Sequence, residues 1–275
     1  MQLVSAALLA ALAGNASAQD PPVPIGQEKF TLRLGAFLPA FQTKVQVDNS
    51  ALGAGDQVDL EDDLGVDQDT SGGWFSAEWR FAPRHRIGFN YSRFTLKGAQ
   101  TLQREIQIDD EIYPVGASTS TQWRLQIVPI AYSYSVMQRE QDELALTAGL
   151  HWSSLSLRIQ GSASLGAQDL SHEATAKADV PLPLFGLRYD RRLSANWSAG
   201  AGASVFALEF GEDAFKFNGS LWSARAYLEY HLSRHFGVGA AIDGFRVDVD
   251  AQQNDWQGGF NYGYWGPQLY LTARF

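Results

Sequence analysis

The stretch WSARAYLEYHL, residues 222–232, decides the fold. Trp222, Ala224, Ala226, Leu228, Tyr230 and Leu232 occupy one phase, and Ser223, Arg225, Glu229 and His231 the other; only Tyr227 departs from the polar set. A period of two sends alternate side chains to opposite faces of an extended strand, whereas a helix would scatter both sets around its axis. The same period runs outward along the chain. Phe30, Leu32, Leu34, Ala36 and Leu38 alternate with Thr31, Arg33 and Gly35, and Phe75, Ala77, Trp79 and Phe81 with Ser76, Glu78 and Arg80. No segment carries a helical period, so the chain reads as all-β.

Tight polar turns at Ala82–His85, Gln138–Asp142, Ser194–Asn196 and Ser233–His235 alternate strictly with long connections. These are roughly Asp48–Gly73, Gly98–Thr121, Ser164–Ala178, Gly211–Gly219 and Ala251–Asn261, all acidic or rich in Gly and Ser. Four short turns and five long ones predict ten strands in an up-and-down antiparallel barrel, its two ends on the short-turn side. A hairpin at Leu102–Ile112 is expected on top of a loop, extending the barrel rather than adding strands to its wall. The short turns share a plan: Arg80 and Phe81, Arg192 and Leu193, and His231 and Leu232 each set a basic residue before an apolar one. The chain closes on Arg274 and Phe275, where the next such turn would begin.

The first residues are of another kind. Val4 to Ala13 is apolar, and Ala16, Ser17 and Ala18 form a small-x-small site before Gln19. Residues 1–18 are therefore expected to be a signal peptide, removed on export, although the n-region has no Lys or Arg. Residues 19–27, with Pro21, Pro22 and Pro24, read as a stiff periplasmic segment before a barrel over residues 28–275.

The chain of 275 residues carries a net charge of −9, which argues against nucleic acid as a partner, and its lack of cysteine excludes disulfides and thiolate metal sites. After residue 18 no run approaches the roughly 18–20 apolar residues of a spanning helix, so a membrane passage has to be made by a closed barrel. Abundant Gly and aromatic residues with a mean hydropathy of only −0.19 suit such a barrel, because alternate residues alone face lipid. Aromatic residues flank the short turns on the apolar phase: Trp79, Phe81, Tyr189, Trp197, Tyr230, Phe236 and Phe275. They read as a girdle at one membrane interface. Arg33, Glu78, Arg124, Arg188, Asp190, Arg225, Glu229 and Asp243 lie on the polar phase and are expected to pair inside a narrow or closed lumen.

The last ten residues, GPQLYLTARF (266–275), resemble the C-terminal signature of small bacterial outer-membrane β-barrels: a terminal aromatic preceded by apolar residues at alternate positions, here Leu271 and Leu269. Ala273 is small where many members carry a larger residue. RLGAFLP (33–39) is similar to the first strand of the OmpA-like and OmpW-like groups. The resemblance implies an outer-membrane location, outer-membrane lipid and lipopolysaccharide as surroundings, and insertion by the barrel assembly machinery through the C-terminal strand. It identifies no subfamily.

Three constellations were weighed for chemistry. His151 and Ser153 share a strand face, as in the His-x-Ser pair of outer-membrane lipid hydrolases, but no Asn or Asp at a suitable depth orients the imidazole and the pair falls on the lumen phase. Ten strands is also the size of the omptin proteases, whose rim needs an acidic pair opposite an Asp-x-His. Asp67/Asp69 and Asp248/Asp250 supply acids, while Asp169 and His172 have the wrong spacing. The acidic loop 56–69 holds Asp59, Glu61, Asp62 and Asp63, but Leu64 occupies the glycine position of an EF-hand; a solvated loop is the expected reading, and a loose calcium or magnesium site the alternative. No catalytic, cofactor or metal residue is assigned. The expectation is a non-enzymatic barrel with a structural or surface-interaction role; the alternatives are an outer-membrane hydrolase of lipid or peptide, and a narrow channel for small solutes.

Overall fold

A computed structural model of the chain describes Pro24 and residues 27–49, 57–108, 111–165, 168–212, 215–253 and 256–275. The expected signal peptide and nearly all of the 19–27 segment lie outside these residues. The strands are β1 (Phe30–Phe37), β2 (Ala40–Asn49), β3 (Gln57–Asp59), β4 (Gly72–Ala82), β5 (His85–Thr101), β6 (Ile106–Ile108) and β7 (Glu111–Tyr113). They continue as β8 (Ser118–Gln138), β9 (Asp142–Leu165), β10 (Gln168–Arg192), β11 (Trp197–Glu212), β12 (Phe215–His231), β13 (Phe236–Gln253) and β14 (Trp256–Arg274).

Twelve of them form one antiparallel sheet that closes on itself through β1 and β14. β1 and β2 both pair with β14, one above the other, with Thr31 opposite Arg274 and Ala40 opposite Trp265. They are therefore two halves of one stave, broken at Leu38 and Pro39, where proline has no N–H to give the ladder. β3 only extends β2 by a three-residue pairing. With those two adjustments the wall has the ten staves that the turn count predicts. β6 and β7 make a separate two-stranded sheet, so the loop-top hairpin stands apart from the wall as expected.

Three of the long connections are not loops. β9 and β10 pair from Asp142/Arg191 up to Leu165/Gln168, and β11–β12 and β13–β14 run to Glu212/Phe215 and Gln253/Trp256. Residues such as 164–178 looked like loop because both faces are polar there. Backbone hydrogen bonds between long antiparallel neighbours continue above the apolar belt regardless of which faces meet water.

The phase is as the alternation predicts. Leu32, Leu34, Leu187, Leu228, Leu269 and Leu271 face outward, while Thr31, Arg33, Ser76, Glu229, Gln268 and Thr272 are buried inside. Exposed aromatics Trp79, Phe81, Trp197, Phe236 and Phe275 ring the short-turn end. A second ring, not foreseen, consists of Trp152, Trp222 and Trp265. Along β12 the segment from Trp222 to Tyr230 holds nine residues with both ends counted, which is close to the ~9–11 residues of a membrane-crossing strand. Arg124 corrects the lumen assignment: it is exposed on the outer face of β8, opposite Thr95 and Ser156, because lumen-facing positions on that strand are the odd-numbered ones.

Candidate functional site

The interior is filled in two tiers. In the lower tier, nearest the short turns, Glu78 of β4 accepts hydrogen bonds from Arg33 (2.5 Å), Arg86 (2.9 Å) and Arg188 (2.7 Å). Arg33 also donates to Glu229 at 2.8 Å, and Glu229 takes further bonds from Tyr270 and Arg274. Arg86 and Arg80 share Glu143, and Arg188 and Tyr227 share Asp190. Seven staves are thereby tied across the lumen, each guanidinium meeting carboxylates that themselves meet other guanidiniums. Such mutual pairing is what lets so many charges leave bulk water. Arg80 and Arg86 sit in phase with Glu78 along consecutive strands, so the strand alternation contains this network, of which the sequence reading names Arg33, Glu78, Arg188, Asp190 and Glu229.

Two glycines make room. A Cβ on Gly239 would lie 2.5 Å from the Tyr270 ring, and one on Gly200 would lie 2.4 Å from the Tyr227 ring. Each bare wall position lets a tyrosine lie across it and carry its hydroxyl to a carboxylate on another stave.

The upper tier is apolar. Phe37, Phe41, Phe94, Trp123, Phe245 and Tyr262 pack edge to face or tilted, with centroids 5.3–6.2 Å apart for successive pairs. Over them lies the acidic loop, and here the solvated-loop expectation fails. Leu60 and Leu64 are 0% and 1% exposed, and Val58, Val66, Leu102 and Ile106 are buried with them. The loop is a lid whose apolar residues point down, with Asp59, Glu61 and Asp63 engaged at its rim. Asp63 takes two bonds from Arg104 of the neighbouring long connection, at 3.1 and 2.6 Å, which hold its carboxyl below the usual range. Glu61 accepts from the Thr43 backbone N–H at 2.9 Å, yet burial pushes its carboxyl up to about 7. Asp59 and Asp63 also bond backbone N–H groups of the loop itself. Among the described residues no group of acids or histidines converges as a metal site.

His151 and Ser153 face the lumen as expected, but no hydrogen bond joins them. The imidazole stacks on Phe245 at 4.3 Å and 15°, with Nε2 unpartnered, and the Ser153 hydroxyl is bonded to Tyr262 at 2.6 Å. Asp248 and Asp250 lie on the outward phase of β13, with Asn261 donating to Asp248. Asp67 and Asp69 are exposed in the first loop, bridged to other segments only through backbone at Lys97 and Ala40. The side chains of Asp169 and His172 lie outside the described residues.

Between the tiers is a cavity of about 270 Å³, bounded by Arg33, Arg188, Arg225, His151, Trp74 and Tyr264.

No family model matches the chain, and no curated protein does. The fold is shared with solved structures at low identity. The outer membrane protease OmpT of Escherichia coli is 12% identical over 96% of this chain and 100% of that one, with a TM-score of 0.61. The translocator domain of the autotransporter NalP from Neisseria meningitidis is 12% identical over 98% and 93%, with a TM-score of 0.45. Ail, the attachment invasion locus protein of Yersinia pestis, is 12% identical over 90% and 99%, with a TM-score of 0.29. At such identity the likeness concerns the fold and not the chemistry. With the closed antiparallel barrel it shares with OmpT, an outward apolar belt of membrane height and aromatic residues at each edge of that belt, the chain has the fold of an outer-membrane β-barrel.

Proposed function

We propose that this barrel serves a structural or surface-interaction role and does not conduct. The observation that carries the reading is the filled interior: a salt-bridged lower tier, an aromatic upper tier and a docked lid lie in series along the barrel axis. Ten staves enclose little more than the eight-stranded barrels whose side chains fill the interior, far from the sixteen or so of water-filled porins. Planar bilayer recordings on purified protein test this. Silence, or rare brief events, is the expected result; steady porin-sized steps would overturn it.

Lipopolysaccharide is the surface partner we favour. Arg93, Lys97 and Arg124 are exposed on the outer faces of the adjacent strands β5 and β8, above the upper tryptophans, where guanidinium and ammonium groups meet phosphate. A hydrolase is the second reading. It draws only on the fold shared with OmpT.

Assembly through the C-terminal strand is also a proposal. Phe275 pairs its backbone with Phe30 and stacks on His235 at the short-turn rim, so the aromatic residue stands exposed where the barrel closes.

A further inference from the structure

The cavity between the tiers is neither required by the plug nor filled by it. Arg188 and Arg225 are 24% and 27% exposed although both sit inside the barrel, so what they are exposed to is the cavity they line. Each spends only part of its fork on protein. Arg188 donates through Nε to Asp190 and through Nη1 to Glu78, and Arg225 donates through Nη1 alone, to Asp243 and Gln268. Among the described residues the remaining guanidinium N–H groups have no acceptor. They are not enclosed orphans, which makes them accessible donors on a cavity wall. His151, 4% exposed, adds an Nε2 without a partner on the same wall.

Aromatic residues share the rest of the lining with small and polar ones such as Asn90, Gly202 and Ser204, and with the carboxylates of Glu78 and Asp243 that hold the two arginines. The Arg225 guanidinium lies 4.7 Å over Trp74, and Phe245 stacks between His151 and Tyr264. A guanidinium with free N–H groups presents planar donors to a carboxylate, and the edges of rings already stacked beside it suit a small ring in edge-to-face contact. The volume is at the small end of ligand pockets, which limits the occupant to about one ring.

Beside the cavity the ladder of the wall is incomplete. β10 and β11 pair only from Phe185/Val205 downward, although β10 continues to Gln168 and β11 to Glu212. Pro181 and Pro183 lie just above that point. The β9–β10 ladder runs unbroken through both, so their missing N–H groups fall on the β11 side. The wall therefore has a seam whose foot adjoins Leu184 and Ser204, two residues that line the cavity.

We propose that the cavity binds a small aromatic carboxylate, its carboxylate held by Arg188 and Arg225 and its ring by Trp74, Phe245 and His151. This goes beyond the closed-barrel reading and does not depend on it, since binding and conduction are separate measurements. The test is isothermal titration of the full folded chain in detergent with benzoate, and with benzyl alcohol as the neutral counterpart. Benzoate should bind saturably at one site and benzyl alcohol about tenfold more weakly or worse, the difference expected of charge-assisted bonds. Ser223→Phe, which fills the cavity from a half-buried lumen position, should abolish binding while the unboiled band on a gel is retained. If that variant does not fold, Arg225→Gln/Asp243→Asn replaces the pair by neutral partners and should weaken benzoate about tenfold. Absence of saturable benzoate binding to folded wild type overturns the proposal, as does equal affinity for the alcohol or undiminished binding in the folded variant.

Discussion

Replacing Glu229 by Gln removes a charge that holds the closing seam of the barrel from two staves away. Glu229 is fully buried on β12 and reaches across Gly239 of β13 to Tyr270 and Arg274 of β14 and Arg33 of β1. Arg33 keeps Glu78 after the change, but among the described residues Arg274 keeps no carboxylate and is left 6% exposed. Leaving a buried charge without its partner costs about 3–5 kcal/mol, and the surviving Arg33–Glu78 bond places this case near 3. With an m-value of about 3 kcal/mol per molar, the urea midpoint should fall by about 1 M. The assay is reversible urea unfolding in lipid vesicles, followed by tryptophan fluorescence and by the shift between folded and unfolded gel bands. Arg274→Met added to Glu229→Gln removes the orphaned cation and should recover most of the loss. A single variant whose midpoint stays within about 0.2 M of wild type would falsify the claim that this network closes the barrel.

Gly239→Val should push the Tyr270 ring off the wall and cost about 1–3 kcal/mol, seen as a lower urea midpoint, whereas Gly73→Val, where a Cβ meets nothing, should cost less. The lid should loosen as pH rises. Glu61 has a docked pKa of about 7 against an ordinary value near 4.5, so below about pH 4.5 both states are protonated and the docked lid is at full stability. Between the two values the undocked lid binds fewer protons than the docked one, and docking weakens with each unit until about pH 7. Hydrogen exchange at Thr43 and Leu60, corrected for intrinsic rates, should accelerate over that window and stop doing so in Glu61→Gln. Deleting Phe275 should lower the amount of folded barrel in the outer membrane and leave precursor in the periplasm, measured by fractionation; wild-type yield would remove the assembly role.

Much of this was legible because a barrel wall repeats one rule. The alternation in Trp222–Leu232 gave the correct faces for Leu228, Arg225 and Glu229, and even the exception, Tyr227, proved to be a lumen residue. The turn spacing gave the ten staves. The outer halves of β9 and β10 were not legible, since above the lipid both faces are polar and the apolar signal that marks a strand vanishes while the backbone ladder persists. Arg124 was misplaced for the same reason. The plug was only half visible: Arg33, Glu78 and Glu229 stood out as charges in a barrel strand, but nothing along the chain says that Leu60 and Leu64 fold back over Phe41. The cavity depends on what small residues such as Gly202 and Ser223 leave empty across the lumen, a property of many strands together.

The central claim is that one phase of each stave meets lipid and the other a filled interior, and the chain's lack of cysteine makes a direct measurement simple. Single cysteines at Leu187 and Arg188, adjacent on β10 in the belt, would carry spin labels in vesicles. The label at 187 should be readily relaxed by oxygen dissolved in the bilayer and shielded from a water-soluble nickel chelate. The label at 188 should be shielded from both. Equal oxygen accessibility at the two positions, or strong relaxation of 188 by the chelate, would contradict the account.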